Sequence, residues 1–293
     1  MGSTLSKKQK QGLILFGIGT VFLIGGLYID DKLKIELKNQ QQKLDSNDKG
    51  QEDIQQTEIS SNHDIQLQQI KEQIQVEYTG DKLSFDTIGQ ILEKSIDLCK
   101  KEYIQITLGN RKQRRDARTQ SNSQLYQQLV LQYNEQVENL LEQKKIKLFT
   151  SLSISEEVFQ ESVMFLMDQG YFQQFFIIQA TIKQKIKEAI PSTKILSLEQ
   201  LKQILDYQVQ IITNKPIDLA SMIQTLSNNQ ETQQLIPLAV NTILADYCFE
   251  KFQIEEEDLI KMMQNPENYA DQKMQKLMNQ LEQAMYQLMG AIA

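Results

Sequence analysis

Residues 274–289, MQKLMNQLEQAMYQLM, set Met274, Leu277, Met278, Leu281, Met285, Leu288 and Met289 at helical spacing. Side chains three and four residues apart share one face of an α-helix, so the run predicts an amphipathic helix with a Met- and Leu-rich stripe. Packing into a core is the expected use of that stripe, and an adaptable partner-binding surface is the alternative. Pro266 separates it from the helix before. That helix begins at Glu255-Glu256-Glu257-Asp258, where unpaired backbone N–H groups favour negative charge. A calcium loop would need oxygen ligands spaced around a Gly, and this run has none.

The same period recurs back along the chain. Shorter helices are expected after Pro216 and on either side of Pro237. Ser197 and Gln200 have capping-box spacing ahead of Leu201, Ile204 and Leu205. A helix from Tyr171 to Ile190 is stopped by Pro191. Ser155, with Glu156 and Glu157, opens another through Phe159, Val163 and Leu166 up to Gly170. Leu125, Leu129, Val137, Leu140 and Leu141 mark a long one ending near Phe149, and Ile88, Ile91, Leu92, Cys99, Tyr103 and Ile106 fit one face of an earlier helix. Before it, IQVEYTGDKLSF at 74–85 alternates around Thr79-Gly80-Asp81, the pattern of a small β-hairpin. The fold class is all-α: a multi-helix bundle with short connections and antiparallel neighbours, tethered to an N-terminal transmembrane helix.

Composition agrees. The 293 residues include 44 Gln but only four Pro, which favours helix. Two Cys exclude a disulfide scaffold, and a single His, His63, excludes His-rich metal sites and most His-dependent catalysis. A net charge of -7 excludes a general nucleic-acid binder.

Residues 12–29, GLILFGIGTVFLIGGLYI, form an uncharged apolar run of 18, bounded by Lys7, Lys8 and Lys10 and by Asp30 and Asp31. At 1.5 Å per residue it spans roughly 27 Å, enough for a thin bilayer. It reads as a single-pass membrane anchor following a tail at 1–11. Gly12, Gly19 and Gly26, seven apart, form a stripe on which another membrane helix would pack closely. Met1-Gly2-Ser3-Thr4-Leu5-Ser6 matches the myristoylation pattern, which makes Gly2 a candidate lipidation site. Lipidation would keep the N-terminus in the cytosol and send the body across the membrane. The body, however, has no N-x-[ST] sequon, and its Cys99 and Cys248 lie far apart, as suits a reducing space. The body is therefore expected to face the cytosol, on a membrane that includes organelles and mitochondria among its candidates. Residues 30–62 read as a polar flexible linker, 63–118 as a helical segment with a basic face, and 119–293 as an all-α domain.

All four Arg of the chain fall in eight residues, Arg111, Arg114, Arg115 and Arg118, with Lys112 among them. Spacing of 0, 3, 4 and 7 places the guanidinium groups on one helical face. From Lys94 to Arg118 there are eight basic and three acidic residues, whereas from Thr150 onward ten Lys face eighteen Asp and Glu. Arg is preferred over Lys where planar, bidentate contact with carboxylate or phosphate is needed. Three uses are open: a solvated face with local ion pairs, a docking face for an acidic partner or for the chain's own acidic half, and contact with anionic headgroups.

No phosphate-binding Gly loop, zinc spacing, GxSxG or HExxH occurs in the sequence, so no catalytic, cofactor or metal residue is nominated. LIKMMQNPE at 259–267 with MQKLM at 274–278 resembles a fragment of the Asn-Pro helical repeats in stress-inducible-type co-chaperone modules. That resemblance covers about twenty residues and implies binding of apolar segments through Met-rich C-terminal helices. The leading expectation is a non-catalytic, membrane-anchored helical interaction protein, an adaptor or accessory subunit of a membrane complex. The alternatives are a tethered co-chaperone-like module and an enzyme whose site assembles only in the fold.

Overall fold

The computed structural model describes residues 65–290 apart from 229 and 234. Gly2, the apolar run with Gly12, Gly19 and Gly26, the linker at 30–62 and His63 lie outside the described residues. Among the described residues no helix is long and apolar enough to cross a membrane.

What is described is almost entirely helical. A helical segment at 65–71 leads into a hairpin of β1 (Tyr78–Thr79) and β2 (Lys82–Leu83), antiparallel, with Tyr78 opposite Leu83. Gly80, at φ +68, supplies the left-handed conformation that a two-residue hairpin turn demands. Helix α1 (Phe85–Thr119) follows, its first turn capped where Thr87 N–H donates to Ser84 Oγ. Ile88, Ile91, Leu92, Cys99 and Tyr103 of its expected face are buried. Helix α2 (Ser123–Ser151) buries Leu129 and Leu140 but leaves Leu125 exposed near its start.

Ser155 caps α3 (Glu156–Leu166), accepting from Val158 N–H. The helix expected from Tyr171 begins one residue later as α4 (Phe172–Lys187), and Met167–Tyr171 form a π-helical turn between them. The Ser197/Gln200 capping box is formed, opening α5 (Leu198–Asn214). Lys215 at φ 46 ends α5, and α6 (Ile217–Ser227) starts directly after Pro216. Pro237 falls in the first turn of α7 (Ile236–Phe252), where its missing N–H breaks no helical bond. Helix α8 (Glu256–Met263), a 3₁₀ turn (Pro266–Ala270) and α9 (Gln272–Gly290) complete the described chain.

The chain divides into two compact units, and not at residue 118 as the sequence pattern suggested. One holds Gly109–Asn134 with 190–290, and the other holds 65–108 with Glu135–Ala189. Both α1 and α2 begin in one unit and end in the other, so neither unit is a continuous segment. Periodicity reads a helix as one object and carries no signal of such a division.

In the first unit α9 packs against α5, and α6 and α5 against α7. Met274, Leu277, Met278, Leu281, Met285 and Leu288 are all buried, so the C-terminal stripe is core, not an open surface for apolar segments. Each such side chain contributes about 1.5–3 kcal/mol by leaving water. Helix α7 is buried around most of its circumference, from Ile236 and Val240 to Ile243, Leu244 and Cys248, with Leu238, Asn241, Ala245 and Phe249 half-buried on the remaining face and Glu250 and Lys251 exposed at its end. In the second unit, β2 is fixed to α3 where Leu83 N–H donates to Ser162 Oγ at 2.9 Å. Phe149 stacks on Phe159 with ring centroids 5.1 Å apart.

Candidate functional site

The arginine face turns inward. In the first unit the C-terminal part of α1 lies along α7 and the start of α8, and every guanidinium meets a carboxylate there. Arg111 grips Glu257 with two parallel bonds of 3.0 Å and lies 3.2 Å from Glu255. Arg114 holds Asp246 at 2.8 and 3.1 Å and also donates to Asn110 Oδ1. Arg115 holds Glu255 at 2.9 and 2.7 Å, with its guanidinium 3.4 Å above the centre of the Phe249 ring. Arg118 holds Glu250 through Nε and Nη2, lies 3.3 Å from Asp218 and faces the Tyr247 ring at 4.2 Å. Four forked pairs thus join elements more than 130 positions apart in the chain.

Burial grades along this ladder. Arg114 is 4% exposed and Asp246 1%, while Glu250 at the far end is open to solvent. Asp246 is a carboxylate among the buried residues of α7, and its charge is tolerated because three donors surround it: two from Arg114 and the Tyr126 hydroxyl at 3.0 Å. Desolvation and the neighbouring Asp246 together drive the Tyr126 hydroxyl well above its usual pKa, so it stays a donor. Burial alone would weaken the Arg111 and Arg114 cations; Glu257, Glu255 and Asp246 outweigh it and shift both upward. Arg115 Nε and Arg118 Nη1 are buried without a hydrogen-bond acceptor, although Arg118 Nη1 keeps its ion-pair distance to Asp218.

The acidic run at 255–258 has two jobs. Glu255 and Asp258 form a reciprocal capping box at the start of α8, as the charge pattern predicted. Glu255 and Glu257 also face the arginines, a role their own stretch of sequence does not suggest. Asp258 goes further, accepting from Ser192 Oγ and from the backbone of Thr193 and Lys194 at 2.8–3.0 Å. Burial opposes its ionisation, but these bonds win and hold its carboxyl below the usual range. Asp246 was the missed residue, and its signal was a lone charge in the apolar run Thr242-Ile243-Leu244-Ala245-Asp246-Tyr247-Cys248.

Of the three uses open to the arginine face, the placement matches docking on the chain's own acidic half. Arg111, Arg114, Arg115 and Arg118 are engaged by Glu257, Asp246, Glu255, Glu250 and Asp218, five carboxylates against four cations. Lys112 is the exposed basic residue of the cluster. An acidic partner or a lipid phosphate would have to displace carboxylates already held in forked geometry. The physical reason is that the basic segment and the acidic half are complementary parts of one core.

Elsewhere, a groove of about 480 Å³ in the second unit is lined by Glu93, Asp97, Lys100 and Lys185, whose charges already pair with one another. The Cys99 and Cys248 thiols are buried, which pushes them up to about 12 and about 11 and makes them poor nucleophiles. Among the described residues no cluster of three His, Cys, Asp or Glu side chains is placed to hold a metal ion. Comparison with known proteins finds no matching family, no similar curated protein and no similar solved structure.

Proposed function

We propose that this chain is a non-catalytic, membrane-anchored helical interaction protein, an adaptor or accessory subunit of a membrane complex. The observation that carries the reading is the uncharged run at 12–29, followed by a polar linker and then by a helical body. The run supplies location, the linker supplies reach, and the body supplies surfaces for a protein partner at the membrane. Gly12, Gly19 and Gly26 would be the contact stripe for a partner's membrane helix. The inward arginine ladder supports a narrower version of the proposal: partner contact uses other surfaces of the body, which faces the cytosol.

Alkaline extraction of membranes carrying the full chain tests the anchor. The wild type should stay in the pellet, and an Ile18→Lys/Leu23→Lys variant should be released, because each charge in the bilayer centre costs about 3 kcal/mol. Release of the wild type overturns the reading. Protease digestion of intact membranes then assigns orientation: a degraded body faces the cytosol, and a protected one favours the lipidated Gly2 arrangement.

A further inference from the structure

The corner between α3 and α4 is built unlike the rest of the second unit. Gly170, at φ +91, breaks the helical path, and none of the five residues of the π-helical turn is buried. Residues 168–174 are exposed one after another. This corner therefore stands in water, with Tyr171 also touching the core through its ring, 5.0 Å from that of Phe85.

Its chemistry does not suit water. Phe172 is 52% exposed and Met164 67%, and Phe165 and Tyr171 are exposed beside them. From Ser162 to Ile182 the single charged residue is Asp168, in a chain where 24% of residues are charged. Aromatic and Met side chains among neutral polar ones are the composition of a surface that sits at lipid headgroup level.

The chain's own arrangement says what lies nearby. The linker leads into this same unit: the segment at 65–71 is tied to α1 where Gln66 Nε2 donates to the Asp97 carbonyl at 2.8 Å. The hairpin that follows is tied to α3 by the bond from Leu83 to Ser162. Residues 30–64, which separate the apolar run from this unit, can span at most about 120 Å, so the unit carrying the corner stays within reach of the bilayer. A neutral corner on an acidic chain needs no anionic lipid to bind. We infer that the corner formed by Met164, Phe165, Tyr171 and Phe172 docks into the interface of a zwitterionic bilayer beside the anchor. This inference rests on the reading of 12–29 as a membrane span.

The chain contains no Trp, so a single introduced Trp reports its own surroundings. Full-length Phe172→Trp is reconstituted into phosphatidylcholine vesicles with and without bromine on the acyl chains, and Tyr286→Trp, at an exposed site of the other unit, is the control. Docking roughly 5–10 Å below the surface should shift the emission of the Phe172→Trp variant to the blue and quench it by about half in brominated vesicles. The control should keep its intensity, and 1 M salt should leave the quenching in place. Vesicle flotation of the same samples separates the two readings. Phe172→Trp protein that floats with its emission unquenched retains the anchor and overturns the docking. Protein that neither floats nor is quenched overturns both. Equal quenching of the control means general adsorption and overturns the inference. A blue shift that rises with protein concentration but ignores bromine means a protein occupant and overturns it as well.

Discussion

The first unit answers its innermost electrostatic problem with Arg, a cation that the described part of the second lacks. In the unit of 109–134 and 190–290, Arg111 and Arg114 are buried against buried carboxylates. In the unit of 65–108 and 135–189, Lys144 pairs with Glu102 at 2.7 Å and Lys183 with Glu138 at 2.8 Å, and in each pair the carboxylate keeps contact with water. A guanidinium is weakly hydrated, planar and forked, so it can leave water, hold both oxygens of a carboxylate and lie over the Phe249 or Tyr247 ring. An ammonium is compact and strongly hydrated, and one water-facing side suits it. The two Arg at the inner end of the ladder, Arg111 and Arg114, sit where the pair closes off, while Arg115 and Arg118 grade outward towards the open Glu250.

If that distinction is real, the largest effect belongs to the innermost pair. Arg114→Ala leaves the buried Asp246 without its cation and should cost about 3–5 kcal/mol in urea unfolding of the full chain. Asp246→Ala should cost a similar amount by stranding Arg114. The double variant Arg114→Met/Asp246→Leu should recover much of the loss, since it leaves no lone charge behind. Single losses near zero would mean that water reaches the pair, and the contrast between the units would collapse.

How much of this was legible in the sequence follows from what each signal depends on. The capping box at Ser197 and Gln200, the hairpin turn at Gly80 and the alignment of Met278 and Leu281 on one helical face are set by neighbours within one or two turns. Local spacing contains them. The clustering of Arg at 111–118 pointed to forked carboxylate contact, and the charge imbalance even showed where enough carboxylates lay. What spacing left open was whether that face looks out or in. The pairs join residues 132 to 146 positions apart, and only the path of α1, α7 and α8 brings them together. The π-helical corner was missed for a different reason. Gly170 reads as an ordinary helix end between two helices, and spacing carries no signal of the turn that joins them or of its exposure.

A step down in size comes from exchanging the two cations. Arg111→Lys keeps the charge but loses one arm of the fork to Glu257, and should cost about 1–2 kcal/mol. The reverse exchange, Lys183→Arg opposite the partly open Glu138, should change stability by less than about 0.5 kcal/mol. Equal effects in both directions would reduce the distinction to charge alone.

Asp258 sharpens the comparison through pH. Its folded-state pKa lies below the ordinary 3.8, so its contribution is present in full above that value and disappears as pH falls through the folded pKa. Asp258→Asn should therefore cost about 1–2 kcal/mol at pH 7, with the gap to wild type narrowing only below about pH 4. Unfolding midpoints measured from pH 7 to pH 3 check both the size and the window. A gap that narrows already between pH 7 and 5 would assign the effect to a different group.

The smallest effect is expected on the open side of the second unit. Lys185 and Glu93 pair at the lining of an open groove, and both side chains remain substantially exposed. Two long side chains lose rotamer freedom to meet there, and water and salt screen what they gain, so such pairs are worth about 0–1 kcal/mol. Lys185→Gln should move the urea midpoint of the full chain by less than about 0.5 kcal/mol equivalent, and by nothing measurable in 1 M salt. A loss as large as that of Arg111→Lys, persisting in salt, would show that closure around the pair is not what separates the two cations.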